Sequence, residues 1–150
     1  PIKSSAASDV YKRQTLIINS PGGSVTAGLA LIDTMQSLDC PVITVGEGVV
    51  ASMAAVILAC GDHRQVYRHT QVLIHQLMGG TGMAQQTDIE IVAQHTAAMR
   101  AELDELLAEH GNLSAQEFHE LTERDCWCNA KRALELGLVD EVIAPSKKAL

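Results

Sequence analysis

The chain has no stretch long and apolar enough to cross a bilayer, no cluster of Lys or Arg, no dense cysteine pattern and no nucleotide-binding glycine motif. Each absence excludes a class of function. The longest apolar run, Val49 to Cys60, is broken by Ser52 and falls short of the ~20 residues a spanning helix needs, so it reads as a buried helix. A net charge of −7 without any basic patch argues against a nucleic-acid surface. Cys40 and Cys60 lie in apolar contexts, as reduced buried thiols do. Cys126 and Cys128 are only two apart, closer than the spacing of zinc ligands, and no second pair follows, so no metal is expected. Neither Gly-x-x-x-x-Gly-Lys-Ser/Thr nor Gly-x-Gly-x-x-Gly occurs, which counts against a phosphate cradle at Gly22-Gly23, and no cofactor is expected. Tandem repeats and low-complexity segments are also missing.

What is present suits one globular domain with a real core: 150 residues, 47% hydrophobic and 19% charged. Ser4 to Gln14 is similar to the in-frame translation of a sequencing adapter used in transposase-based library preparation, with GATGTGTATAAGAGACAG encoding Asp9 to Gln14. Residues 1–14 are therefore expected to be a non-native or disordered leader. The domain is expected over 15–145, lacking its amino-terminal part, with a mobile tail over 146–150.

The pattern along the domain alternates strands and helices. Leu16 to Asn19 reads as a strand stopped by Ser20-Pro21-Gly22-Gly23, and Val25 to Leu38 as a helix with Leu29, Ile32 and Met35 on one face. Pro41 to Val45 is a second strand, after which Gly46 to Ala51 are expected to turn the chain into the Ser52 helix. Gln65 to Arg68 and Val72 to Ile74 give two short strands, the second delivering His75 at its carboxyl end. Thr87 to Glu90 has the form of a capping box opening a long helix to His110, with a stripe of Ile89, Val92, Thr96, Met99, Leu103 and Leu106. At 1.5 Å per residue that helix extends roughly 36 Å, more than so small a domain covers, so part of it should pack outside its own subunit. A second capping box at Ser114 to Glu117 opens a shorter helix, Ala130 to Leu136 form a third that ends at Gly137, and Val139 to Ile143 close the domain.

Acyl transfer by a serine needs a base for its proton, an acid to orient that base, and fixed N–H donors for the oxyanion. Ser52 follows the small-residue turn Gly48-Val49-Val50-Ala51 at the first turn of a buried helix, where backbone N–H groups lack intrahelical partners. Taken alone it also reads as an N-cap on a core helix. His75 ends a strand before the flexible Gln76-Leu77-Met78-Gly79-Gly80 run, so its ring can face a cleft or be structural. Asp125, after a helix and beside Trp127, suits a buried carboxylate meeting an imidazole; the alternatives are a partner for Arg124 or a helix cap. Gly22-Gly23 leaves unhindered N–H groups at a strand-to-helix turn.

Ser20-Pro21-Gly22-Gly23, Ala51-Ser52-Met53-Ala54, Ile74-His75-Gln76, Thr122-Glu123-Arg124-Asp125 and Gly137-Leu138-Val139-Asp140 occur in the order and approximate spacing of the ClpP family. The resemblance runs from Thr15 to about Ile143. It implies a ClpP/crotonase-like α/β fold of repeated strand-strand-helix units with a protruding long helix, the handle that joins two stacked rings. It further implies a serine endopeptidase in which Ser52 is the nucleophile, His75 the general base, Asp125 its orienting acid, and Gly23 and Met53 supply the oxyanion-hole N–H groups. Heptameric rings stacked as a tetradecamer, a separate Clp-type hexameric ATPase unfoldase, unfolded protein substrates and a cytoplasmic location follow from the same resemblance. Glu123-Arg124 resembles a pair that contacts the opposite ring. The sequence departs from the family at Leu77, where proline is usual, at Val50, usually alanine, and at Trp127-Cys128-Asn129-Ala130. Two alternatives stay open: a structural ring subunit with a misaligned triad, and a crotonase-like acyl-CoA enzyme.

Overall fold

A computed structural model describes residues 12–144. Eleven elements follow in the order β1 (Gln14–Ser20), α1 (Val25–Gln36), β2 (Val42–Ala51), α2 (Met53–Ala59), β3 (His63–Tyr67), β4 (Gln71–Ile74), α3 (Gln86–His110), α4 (Ala115–Leu121), β5 (Cys126–Asn129), α5 (Ala130–Glu135) and β6 (Glu141–Ile143). The expected tail and most of the expected leader fall outside the described residues. Gln14, inside the segment read as leader, already belongs to β1 and pairs with Val42.

Among the described residues, one sheet of six strands organises the fold, in the order β5-β4-β2-β3-β6 with β1 also paired to β2. All pairings are parallel except β4 with β5. The β-branched run Val42-Ile43-Thr44-Val45 suits a central strand covered on both faces, and Val42, Thr44 and Val45 are buried. Thr44 satisfies its buried hydroxyl by donating to the Leu58 carbonyl at 2.7 Å. Helix α2 lies in the core, burying Met53, Ala54, Ala55, Val56, Leu58 and Ala59. Its alanines let the helix approach the sheet closely.

The strand β2 runs on to Ala51, where a turn was expected from Gly46. Gly46 is retained because a Cβ there would meet the side chains of Val50 and Val66 at 3.0 Å, so it marks close packing and not a chain reversal. Gly48, at φ 62°, forms an irregularity instead. The register with β1 passes from Ile18↔Gly46 to Ser20↔Val50, and the Asn19 side chain caps the offset by accepting from the Val49 N–H at 3.2 Å. The bend lets β2 pair with β3 over its first half and with β4 over its second.

The long helix α3 is real, but its expected capping box is not formed. It begins one residue early, with Gln85 at the N-cap and no side-chain cap; Thr87 is already inside the helix, and Glu90 accepts from Gln86 Nε2 at 2.9 Å. The capping box at Ser114 and Glu117 is present at α4, and the Ser114 hydrogen bonds hold the Glu117 carboxyl below its usual range. Buried positions of α3 are confined to Asp104 and Leu107, so the N-terminal half of the helix, with Ile89 and Ile91, leaves the domain exposed. Arg64 locks the far ends of the helices: its guanidinium donates to the His110 carbonyl at 2.6 Å, to the Gly137 carbonyl at 2.8 Å and to both Asp140 oxygens. No helix among the described residues is long and apolar enough to cross a membrane.

Candidate active site

Three strands deliver the candidate residues to one place. In parallel sheets, sites form beyond the carboxyl ends of the strands. Ser20 pairs with Val50 and Ala51 with Leu73, so the ends of β1, β2 and β4 are level, and the residues that follow them are Gly22-Gly23, Ser52 and His75. Ser52 is hung directly on the strand that carries His75, its N–H donating to the Leu73 carbonyl at 2.8 Å.

Ser52 has φ 58° and ψ −130°, the sole positive φ of a non-glycine among the described residues. An L-residue held there costs of order 1–3 kcal/mol, a cost typical of a side chain lifted out of a sharp strand-to-helix turn. The simple capping role is not observed, since the Ser52 side chain makes no cap hydrogen bond to α2. Ser52, His75, Met53 and Gly23 line one cleft, closed on its far side by Leu103, Asp104 and Leu107 of α3.

Gly22 makes this elbow possible. At φ 94° it lies flat against the turn, and a Cβ would meet the Ala51 carbonyl oxygen at 2.6 Å and the Ser52 Cβ at 2.7 Å. The neighbouring Gly23 faces open space. Met53 is the first residue of α2, so its N–H has no acceptor within the helix. Gly28 of α1 sits where any Cβ would clash with the Met53 side chain, which fixes that residue from behind.

Asp125 is brought beside His75 by β5, a strand that the sequence did not reveal. Antiparallel pairing sets Cys126 opposite Ile74, which puts the preceding Asp125 beside His75. Asp125 Oδ1 stands 3.9 Å from His75 Nδ1, beyond hydrogen-bond length. The imidazole is 11% exposed and the carboxylate 65% exposed. The expected buried carboxylate is thus corrected: Asp125 sits at the mouth of an edge strand, with water on its outer side.

Arg100 of α3 is the residue that sequence reading overlooked. Its guanidinium donates to Gln76 Oε1, to the His119 carbonyl and to Glu123 Oε2, each at 3.0 Å. The bond from Arg100 holds the Glu123 carboxyl below its usual range. Glu123 therefore faces α3 as well as Arg124, whose Nη1 is 3.7 Å away. A basic residue flanking the helix stripe, next to Met99 and four before Asp104, was the available signal. The cysteines are free thiols; burial pushes Cys60 up to about 12, and burial beside Cys126 does the same to Cys128. Among the described residues no group of three or more His, Cys, Asp or Glu converges as metal ligands.

The model of the Clp protease family matches residues 5–146. The ATP-dependent Clp protease proteolytic subunit of Lactococcus lactis subsp. cremoris is 42% identical over 140 residues, covering 91% of this chain and 70% of the relative. The same subunit of Streptococcus sanguinis is 43% identical over 143 residues, covering 93% of this chain and 73% of the relative.

Proposed function

The chain belongs to the Clp protease family, and from that premise we propose that Ser52 is the nucleophile of a serine endopeptidase with His75 as general base and Asp125 as orienting acid. The fold is the α/β fold of that family and the protein is a hydrolase of peptide bonds. The observation that carries the assignment is the strained Ser52 turn, level with His75 and lining the same cleft. In the reaction, Ser52 Oγ attacks the scissile carbonyl as His75 takes its proton; the N–H groups of Gly23 and Met53 receive the oxyanion, and the imidazolium then protonates the leaving amine. Asp125 favours the tautomer with Nδ1–H toward itself once the 3.9 Å gap closes to a hydrogen bond.

A cleft lined at its wall by α3 suits an extended peptide, so the substrates are segments of unfolded proteins. The exposed N-terminal half of α3 supports self-association, which we place in heptameric rings stacked as a tetradecamer. A Clp-type hexameric ATPase supplies unfolding from outside, in line with the relatives' name, and the setting is the cytoplasm. A second reading, a ring subunit with a misaligned triad, is favoured by the separation of His75 and Asp125. The acyl-CoA alternative draws no support from the family match.

Hydrolysis of a small fluorogenic peptide by the assembled protein separates the two readings. We expect turnover in the wild type and its loss in Ser52→Ala and His75→Ala. Rings that assemble yet hydrolyse nothing would leave the structural subunit.

A further inference from the structure

We propose that Arg100 is the positioning residue that sets the separation of His75 and Asp125, tying both catalytic segments to helix α3; this rests on the triad reading above. His75 and Asp125 come from different segments, joined by β4–β5 pairing and by the hydrogen bonds of Gln76. Arg100 spans the same two segments from a third direction. Through Nη1 it holds Gln76, the residue after His75; through Nη2 it holds Glu123, two residues before Asp125, and the His119 carbonyl at the end of α4.

Gln76 completes the clamp. Its N–H donates to the Thr122 carbonyl at 2.7 Å and its Nε2 to the Glu123 carbonyl at 2.8 Å, while its Oε1 is reserved for Arg100. The donor is itself fixed. Arg100 is 17% exposed, lines the Ser52–His75 cleft, and has Asp104 Oδ2 4.0 Å from an Nε that makes no hydrogen bond. Asp104 in turn receives His119 Nδ1 at 2.7 Å. Three acceptors reached from one plane require the guanidinium fork; an ammonium reaches fewer of them at once.

The expected result, in assembled protein, is that Arg100→Met lowers kcat for a fluorogenic peptide by roughly tenfold to a hundredfold, the scale of a catalytic group displaced by about an ångström. KM stays within about twofold, because the lost interaction orients the base and does not bind substrate. Labelling of Ser52 by a fluorophosphonate slows in proportion. Arg100→Lys recovers part of the rate. Glu123→Met, which deletes an acceptor of Arg100 and leaves the bonds of Gln76 to the backbone carbonyls of 122 and 123 in place, gives the same split and decides the matter if Arg100→Met does not assemble. Wild-type kcat in an assembled variant, or a raised KM with kcat unchanged, would overturn the proposal. If the wild type itself is neither labelled nor active, the triad reading fails, and crystals of wild type and Arg100→Met still decide: a His75–Asp125 separation that opens supports positioning, and an unchanged one overturns it.

Discussion

Ser52 combines two roles in one backbone conformation, since the φ of 58° that lifts its side chain into the cleft is also a local cost. Replacing it by glycine removes the Cβ penalty, whereas alanine keeps it. Ser52→Gly should therefore unfold at higher denaturant than Ser52→Ala, by about 1 kcal/mol after the extra chain entropy of glycine is subtracted, with both variants inactive. Equal stabilities would show that the turn is not strained. A second residue-scale test concerns Asp140, whose carboxyl is held below its usual range mainly by hydrogen bonds from Arg64. With the folded value depressed, its contribution is complete above the unfolded carboxylate range near ~3.9 and is lost as pH falls through the folded value. Asp140→Asn should cost about 1 kcal/mol at neutral pH, because the partly exposed pair is screened, and the deficit should shrink as acid protonates the wild type. A deficit constant in urea titrations down to strongly acid pH would contradict this.

At the scale of elements, the site depends on strand ends more than on any loop. Gly22 touches the Ser52 turn so closely that Gly22→Ala must displace it; we expect activity to fall to the level of Ser52→Ala and stability to drop by about 2–4 kcal/mol, checked by peptide hydrolysis and denaturant unfolding. An active Gly22→Ala protein would disprove the tight apposition. Most elements were readable from local pattern: β1 from its apolar run, α2 from its buried one, α4 and α5 from their caps. The extension of β2 through Gly46 and Gly48 was not, because those glycines signal a turn until the neighbouring Val50 and Val66 side chains are in place. Strand β5 was missed for a similar reason. Cys126-Trp127-Cys128-Asn129 is short, and its pairing with β4 is a long-range event. The order of Ser52, His75 and Asp125 was visible in the sequence through family resemblance, but the exposed setting of Asp125 and the clamp of Arg100 depend on that pairing and on α3 packing.

For the whole molecule, α3 spans roughly 37 Å at 1.5 Å per residue, and only its C-terminal half is held by the domain. An apolar face left in water along the remainder is the feature that rings would cover. Ile89→Glu should leave the helical signal of the fold intact while shifting sedimentation toward smaller species; unaltered sedimentation would remove this face from assembly. The clamp at Arg100, just past the midpoint of α3, joins the helix to the cleft, so loss of assembly should also slow hydrolysis. Whether the hydroxyl of Ser52 is a nucleophile activated by His75 is read by treating the assembled protein with a fluorophosphonate and locating the adduct by mass spectrometry. One adduct per chain is expected, on Ser52 and lost in His75→Ala; an unmodified Ser52 in assembled wild-type protein, or one modified equally well without His75, would refute the assignment.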